Sequence, residues 1–190
     1  MEPWMPEFER DLFYKYLKKS KGYFEFGSGG STYQATQIDN IKVIYSVESD
    51  LAWQNELKFK IDSQDDKLHY IYIDMKTEPS NLGYPGENSN LADWKKYSGA
   101  FNNLTNDQQK EIDFILIDGR FRAACALKCF ENISQNTLIC FDDFLNRPYY
   151  HIVLDFFDII DQAGRMVILQ KKNVTPPGIY LLKNYESIPH

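Results

Sequence analysis

The chain has 190 residues and a formal net charge of −6 at pH 7, from 21 lysine and arginine against 27 aspartate and glutamate residues. The length fits one domain with a full hydrophobic core, and the 43% apolar share excludes a disordered or low-complexity chain. The chain also lacks the basic footprint of a general nucleic-acid binder and any apolar run near the roughly 20 residues that span a membrane. We therefore expect neither nucleic acid nor a membrane span.

The cysteines and the N-terminus indicate a reducing compartment. Cys125, Cys129 and Cys140 are an odd number without CxxC spacing, and Met1-Glu2-Pro3-Trp4 is not the start of a signal peptide. We expect a cytoplasmic protein.

Hydrophobic periodicity predicts alternating helices and strands from the N-terminus onward. An N-terminal segment, 1–22, holds an amphipathic helix over 4–19. Helices are then expected to begin near 31, 51 and 122, and a polar helix over 91–101. Strands are predicted at 23–26, 41–47, 68–73, 114–117 and 138–141. Pro148 predicts the first turn of a helix that runs to Ile160. Two late strands, 166–169 and 179–182, are predicted to be antiparallel because too few residues separate them for a crossover helix.

This order predicts an α/β fold in a single domain, 1–190. The sheet should be doubly wound, seven-stranded and mostly parallel, with the last strand antiparallel. Ligands of such sheets bind at the carboxyl ends of the strands. A glycine or a carboxylate follows each of the first five strands, namely Gly27, Glu48, Asp74, Asp118 and Asp142. The long loop over 75–90 is rich in proline, glycine and asparagine, and such loops are often functional.

The glycines after the first strand and the acid after the second predict an adenosine-containing cofactor. Glycines allow a close backbone approach, and Glu48 follows at about the 20-residue spacing of a ribose-binding acid. Thr32 departs from the Gly-x-Gly-x-x-Gly pattern of dinucleotide-binding proteins, and the chain lacks a Tyr-x-x-x-Lys pair. A carboxylate-lined site suits an ammonium and a sulfonium better than a pyrophosphate. An NAD(P)-dependent oxidoreductase and a non-catalytic binding module remain alternatives.

Glu25-Phe26-Gly27-Ser28-Gly29-Gly30-Ser31-Thr32, together with the acids Glu48, Asp74 and Asp118, resembles the class I S-adenosylmethionine (SAM)-dependent methyltransferases. The resemblance covers nearly the whole chain and implies a Rossmann-like methyltransferase fold. It implies that the methionine part lies against the glycine loop, the ribose against Glu48 and the adenine against Asp74. The implied cofactor-binding residues are Glu25, Gly27, Ser28, Gly29, Gly30, Ser31, Thr32, Glu48, Ser49, Asp74 and Asp118.

Three later segments, 117–122, 141–144 and 146–151, resemble a subgroup of small methyltransferases of glycan synthesis, some of them fused to glycosyltransferases. The resemblance implies a hydroxyl of a sugar or glycan as acceptor and a glycosyltransferase domain as a partner. In that case 75–97 is an acceptor-side loop, and Trp4 to Phe8 either cover the cofactor as a lid or pack in the core.

The acids after the fourth and fifth strands predict a metal site. Asp118, Asp142 and Asp143 should lie close together and would repel one another without a cation, and oxygen ligands suit Mg²⁺ or Mn²⁺. A metal would lower the pKa of the acceptor hydroxyl. The base lysine of related O-methyltransferases is replaced by Phe121, so His151 is the candidate base. The predicted catalytic residues are Asp118, Asp143 and His151. The alternatives are that the acids cap turns, that His151 is a packing residue and that the enzyme works without metal.

Five further side chains are candidates for acceptor binding. Arginines near the strand ends can bind a phosphate or carboxylate by paired hydrogen bonds, or can form ion pairs with the nearby acids. Aromatic rings on the acceptor side can stack on a sugar ring. These candidates are Arg120, Arg122, Arg147, Tyr84 and Tyr149.

Overall fold

The computed structural model describes residues 1–61 and 66–190. Its centre is one seven-stranded sheet with the strand order β3-β2-β1-β4-β5-β7-β6. The strands are β1 (Gly22–Phe26), β2 (Val43–Glu48), β3 (Leu68–Tyr72), β4 (Phe114–Ile117), β5 (Leu138–Phe141), β6 (Phe157–Ala163) and β7 (Met166–Lys171).

Helices connect the parallel strands and cover both faces of the sheet. The α-helices are α1 (Glu7–Leu17), α2 (Gly30–Thr36), α3 (Leu51–Lys60), α4 (Leu91–Ser98), α5 (Asn106–Glu111), α6 (Arg122–Cys129) and α7 (Ile179–Tyr185). Short 3₁₀ helices span Phe101–Asn103 and Pro148–Asp155. Among the described residues, no helix is both long and apolar enough to cross a membrane.

The pairing confirms the predicted fold class. β1 to β5 pair in parallel, whereas β7 runs antiparallel to both of its neighbours, β5 and β6. The strand order reverses at β1, which lies between β2 and β4. Ligands of open parallel sheets bind at such a reversal, at the carboxyl ends of the strands.

Alternation along β1 shows how the two faces are built. All five of its residues are buried. Phe24 and Phe26 join the apolar core on one face, whereas Tyr23 joins the core on the other, with Phe13 of α1. Since side chains of a strand alternate between faces, Glu25 shares the face of Tyr23. A carboxylate is therefore placed inside the core.

The prediction for the segment after Pro148 is wrong in its second half. A 3₁₀ helix begins at Pro148 as expected but ends at Asp155, and the predicted helical residues from Phe157 to Ile160 belong to strand β6. Burial along β6 follows the two-residue period of a strand at a sheet edge. The segment forms a strand and not a helix because β7 offers it backbone partners from Phe157 to Ala163.

The predicted strand at 179–182 is also wrong, because these residues form helix α7. The next residue after the helix, Glu186, pairs with Lys128 of α6 at 2.6 Å and with Lys95 of α4 at 3.5 Å. The seventh strand is supplied instead by β6, so that β6 and β7 form the antiparallel end of the sheet.

The β6–β7 hairpin is tied to α1. Gly164 turns between the two strands with φ of +55°, a conformation that favours glycine, and next to it Arg165 bonds to the buried Glu9 of α1. The ladder is interrupted by an irregularity between Ile159 and Asp161 of β6. Asp161 accepts hydrogen bonds from Lys15 and Tyr16 of α1.

Candidate functional site

A cavity of about 1100 Å³ lies at the carboxyl ends of the central strands. Its walls come from the N-terminal residues 1–6, the glycine loop 27–31, residues 48–50 after β2, and 118–120 after β4. The loop residues 79, 80, 82 and 83 and the side chains of Asp142 and Asp143 complete it, with Tyr97, Arg122, Arg147 and Arg165. Residues that follow β1, β2, β4 and β5 therefore line one cavity, at the edge of the sheet where the strand ends were predicted to converge.

The glycine loop is closed against the turn after β4. Gly27 has φ of +97°, and a Cβ at this position would lie 2.9 Å from the Cα of Gly119. A Cβ at Gly29 would meet nothing within 4 Å, so the loop faces open space there. The loop thus offers bare backbone to a ligand at the start of α2, whose first N–H groups favour negative charge.

Glu25 lies behind this loop and does not line the cavity, contrary to the expected contact with the cofactor. The carboxylate is fully buried and accepts hydrogen bonds from four hydroxyls, those of Tyr23 (2.9 Å), Ser31 (2.6 Å), Ser46 (2.7 Å) and Thr32. Burial raises the pKa of Glu25, and these hydrogen bonds act against the rise. Glu25 and Thr32 therefore anchor the start of α2 and shape the loop from behind.

Glu48 lines the cavity, and backbone N–H groups hold both of its oxygens. Oε1 accepts from the N–H groups of Ser49 (2.7 Å) and Asp50 (2.8 Å), and Oε2 accepts from that of Ser28 (3.2 Å). Burial raises the pKa of this carboxyl to about 7, although the three hydrogen bonds favour its ionised form. The Ser49 hydroxyl bonds to the carbonyl of Gly83 at 3.2 Å and so ties the long loop to this acid.

The raised pKa of Glu48 predicts a pH-dependent stability. Folding takes up a proton here between the pKa of an unfolded glutamate, about 4, and the folded value of about 7, so the stability falls as the pH rises through that window. We expect Glu48 to contribute about 3 kcal/mol of this fall, and Glu48→Gln to remove that share. Urea unfolding at a series of pH values measures it, with the exposed Glu87→Gln as control. An unchanged pH slope in Glu48→Gln would contradict the assignment.

The acids after β4 and β5 surround a buried arginine. The Arg122 guanidinium lies 3.0 Å from Asp118 and 3.5 Å from both Asp142 and Asp143. It also donates to the backbone carbonyls of Asp118 (2.8 Å), Gly119 (2.9 Å) and Asp142 (2.9 Å). Arg122 thus forms ion pairs with the nearby acids, the second of the two roles considered for it from the sequence. Its N–H groups are used within the protein and are not available to bind the molecule to be methylated.

Two further arginines hold the second aspartate of the pair. Arg147 lies 2.6 Å from Oδ2 of Asp143, and Arg165 lies 2.6 Å from its Oδ1 while also pairing with Glu9. Asp143 itself has a positive φ of 57°, which turns the chain sharply after β5. Sequence reasoning missed Arg165, because nothing local links a hairpin residue to a strand end some 20 positions earlier.

The predicted Mg²⁺ or Mn²⁺ site does not fit this donor set. Three guanidinium groups neutralise Asp118, Asp142 and Asp143, and Arg122 stands between the carboxylates where a cation would bind. In the part of the chain that the structure describes, no group of three or more His, Cys, Asp or Glu side chains could hold a metal ion. Neighbouring carboxylates do need a positive charge to offset their mutual repulsion, and here arginine side chains supply it.

The pKa of Asp142 is strongly raised. Burial raises its pKa to about 8, and the negative charge of Asp118 raises it as well. The positive charge of Arg122 lowers the pKa in part. Its Oδ1 is buried without a hydrogen-bond partner among the described residues. Asp118 differs, because its side chain is 31% exposed towards the cavity.

Besides Glu25 and Thr32, four predicted site residues lie away from the cavity lining. Asp74 is exposed and bonds to Lys76. His151 packs on the Phe144 ring, and its Nε2 lies 3.1 Å from the Phe144 carbonyl oxygen. Tyr84 and Tyr149 stand at the rim, where each ring contacts His190. His151 thus contacts Phe144 and does not line the cavity, and its role as a base stays a prediction.

The N-terminal residues cover one side of the cavity. The Glu2 carbonyl lies so close to Gly30 that a Cβ there would overlap it, and Gln34 donates to the carbonyl of Met1 at 2.9 Å. Trp4 lines the cavity although 92% of its side chain is exposed, whereas Met5 is buried. Met5 thus packs in the core, residues 1–6 border the cavity, and a lid over the cofactor stays a prediction.

Tyr97, Asp50 and Trp53 also shape the site, although little in the sequence marks them as site residues. The buried Tyr97 hydroxyl lies 3.4 Å from the amide nitrogen of Arg120. Asp50 caps α3 by accepting from Trp53 N and also accepts from Ser80 N, both at 3.1 Å. The Trp53 indole donates to the carbonyl of Ser28 at 2.8 Å and supports the glycine loop.

The fold is a Rossmann-like methyltransferase fold, and the solved structures that share it are described as methyltransferases or methyltransferase-like. A methyltransferase-like protein of Silicibacter pomeroyi superimposes with a TM-score of 0.86 at 25% sequence identity, over 99% of this chain and 98% of that one. A Staphylococcus aureus structure described as a caffeoyl-CoA O-methyltransferase gives 0.54 at 19% identity, over 90% and 86% of the two chains.

A third similar structure, from Streptococcus pneumoniae, is described as a tRNA methyltransferase in complex with S-adenosyl-L-methionine. It gives a TM-score of 0.51 at 11% identity, over 91% of this chain and 76% of that one. No protein-family model and no curated protein matches the sequence.

Proposed function

We propose that the chain is a SAM-dependent methyltransferase that methylates a hydroxyl group of a sugar or glycan without a bound metal. The observation that carries the proposal is the cavity in which a bare glycine loop, the Glu48 carboxylate and Asp118 face one another. The similarity to the methyltransferase-like protein of Silicibacter pomeroyi along nearly the whole of both chains supports the same class.

The residues around the cavity fit the cofactor. Its volume of about 1100 Å³ exceeds what one cofactor fills and leaves room for an acceptor. The open space at Gly29 accepts the amino-acid part, and Oε2 of Glu48, which accepts only one backbone hydrogen bond from the described residues, keeps a lone pair free for a ribose hydroxyl. Asp118 offers negative charge to the cationic groups of the cofactor.

Bound SAM supplies an electrophilic methyl group on a sulfonium centre. The chain's residues orient the acceptor and receive the hydroxyl proton as the oxygen–methyl bond forms. Asp118 is the best-placed acid for this proton, because its side chain is 31% exposed whereas those of Asp142 and Asp143 are 8% and 9% exposed. Arg122 fixes the Asp118 carboxylate and balances its charge.

A sugar or glycan as the acceptor rests on the resemblance of 117–122, 141–144 and 146–151 to methyltransferases of glycan synthesis. A partnership with a glycosyltransferase rests on the same resemblance and stays a prediction. The sequence favoured a metal-assisted reaction, with a metal-independent reaction as the alternative. We propose the metal-independent reaction, because three arginines offset the negative charge of the acids.

Calorimetric titration with S-adenosylhomocysteine tests the cofactor. We expect binding to the wild-type protein, an affinity at least about tenfold weaker for Glu48→Ala, and no change for the exposed control Glu87→Ala. The physical reason is the loss of the hydrogen bond from a ribose hydroxyl to a charged group. Chelation of divalent cations should leave the affinity and any turnover on sugar acceptors unchanged. Binding of NADH in place of S-adenosylhomocysteine would overturn the proposal.

A further inference from the structure

Arg120 is a buried cation at the cavity wall. It follows Gly119 in the turn after β4, lines the cavity and is only 9% exposed. Its guanidinium carbon lies 4.3 Å from the centre of the Tyr84 ring, and its Nε is buried without a hydrogen-bond partner among the described residues. The side chain is thus held by stacking on Tyr84, and its Nε donates to no acceptor among the described residues.

The other arginines of the cavity are different. Arg122, Arg147 and Arg165 each pair with one or more carboxylates at 2.6–3.5 Å. Arg120 forms no ion pair with any carboxylate in residues 1–61 and 66–190. A buried charge without a partner is costly, so an unpaired guanidinium at the wall of a ligand cavity indicates an anionic group on the ligand.

The position of Arg120 separates this anion from the carboxylate of the cofactor. A Cβ placed on Gly83 would lie 3.9 Å from Cγ of Arg120 and 4.0 Å from Oε1 of Glu48. Arg120 therefore stands on the Glu48 side of the cavity, the side of the ribose. The amino-acid end of the cofactor lies instead at the loop around Gly29, so its carboxylate is not the expected partner.

We infer that Arg120 binds an anionic group of the acceptor, a phosphate or a carboxylate. The inference rests on the proposed function for the presence of an acceptor in this cavity. A guanidinium can bind such an anion by two parallel hydrogen bonds, and stacking on Tyr84 fixes the plane in which it donates. The acceptor class that follows is a sugar phosphate, a nucleotide sugar or an acidic sugar, and a neutral sugar is disfavoured.

The test is a titration of the protein saturated with S-adenosylhomocysteine. Inorganic phosphate and acetate, added in separate calorimetric experiments at constant ionic strength, represent the two sources of the anion. We expect one of them to bind to the wild-type complex, at least about tenfold more weakly to Arg120→Gln, and with intermediate affinity to Arg120→Lys. Arg10→Gln, which removes an arginine from α1, serves as the matched control. Circular dichroism checks that each variant is folded.

A cofactor series distinguishes other roles of Arg120. Each variant is titrated with S-adenosylhomocysteine and with 5′-methylthioadenosine, which lacks the amino-acid part. Unchanged affinity for both supports the inference. Weaker binding of S-adenosylhomocysteine alone would assign Arg120 to the cofactor's carboxylate, and equal weakening of both would assign it to adenosine stacking. Either result overturns the inference, as does phosphate or acetate binding that is undetectable or independent of Arg120.

Failure of the proposed function would look different. If S-adenosylhomocysteine does not bind to the wild-type protein, the cofactor assignment fails, whatever Arg120 does. The phosphate and acetate titrations are then repeated on the protein alone. Binding that depends on Arg120 still supports an anion site, and binding that does not depend on it rejects one.

Discussion

Replacement of Arg122 with methionine is expected to lower the free energy of unfolding by about 3–5 kcal/mol, the cost of removing one partner from a buried ion pair. The reason is that Asp118, Asp142 and Asp143 lose the guanidinium that lies among them, together with three hydrogen bonds to backbone carbonyls. Urea unfolding at neutral pH measures the loss. The control is Arg10→Met, which removes an arginine from α1 without touching the cavity.

The pH dependence of this loss identifies its cause. As the pH falls below the raised pKa of Asp142, this carboxyl takes up a proton and the acids repel one another less, so the difference between Arg122→Met and the wild type should shrink. Mn²⁺ should stabilise the variant but not the wild type, since only the variant has oxygen ligands left without a cation. A loss that equals that of Arg10→Met, or that is constant with pH, would show that Arg122 does not balance these acids.

Substitution of Gly119 by alanine is expected to cost about 1–3 kcal/mol of stability, the usual penalty of overpacking. A Cβ there would overlap the hydroxyl oxygen of the buried Tyr97 and would lie 3.0 Å from the backbone nitrogen of Gly27. The glycine loop would then be displaced, and S-adenosylhomocysteine should bind more weakly. Thermal and urea unfolding measure the first effect and calorimetry the second. Gly178→Ala is the control, because a Cβ at Gly178 meets nothing within 4 Å.

A double-mutant cycle isolates the clash. Tyr97→Phe removes the hydroxyl that the new Cβ would overlap, so Gly119→Ala should cost less in the Tyr97→Phe background than in the wild type. The same cost in both backgrounds would mean that the backbone of Gly27, and not Tyr97, limits the space at Gly119.

The convergence at the strand ends could be predicted because it depends only on topology. Once β1 to β5 are parallel, the residues that follow them must meet at one edge of the sheet, and Gly27, Glu48, Asp118 and Asp142 do so. No feature of side-chain packing is needed for this conclusion.

The charges at the site could not be predicted in the same way. Arg165 comes from the β6–β7 hairpin, and only the folded chain brings it to Asp143 on one side and to Glu9 of α1 on the other. The alternation along β1 could have placed Glu25 on the same face as Tyr23. Ser46, however, becomes its partner through the register between β1 and β2, which the sequence does not specify.

Short apolar runs explain the two errors of secondary structure. The residues 179–182 are apolar, but a run of four cannot distinguish a strand from part of a short helix. The adjacent Ile159 and Ile160 fit a helical pattern as well as a strand with an irregular ladder. In both segments the choice depends on contacts with distant elements, α6 for one and β7 for the other.

The interrupted ladder of β6 also affects how the sheet could assemble with other chains. β6 is an edge strand, and an edge with regular unpaired N–H and C=O groups invites another strand to add to it. Here the irregularity lies between Ile159 and Asp161, and two acids, Asp158 and Asp161, stand along the strand. Lys15 of α1 also bonds to Asp161 and shields part of this edge. Strand addition at β6 is thus disfavoured by both shape and charge, which protects the chain against edge-to-edge aggregation.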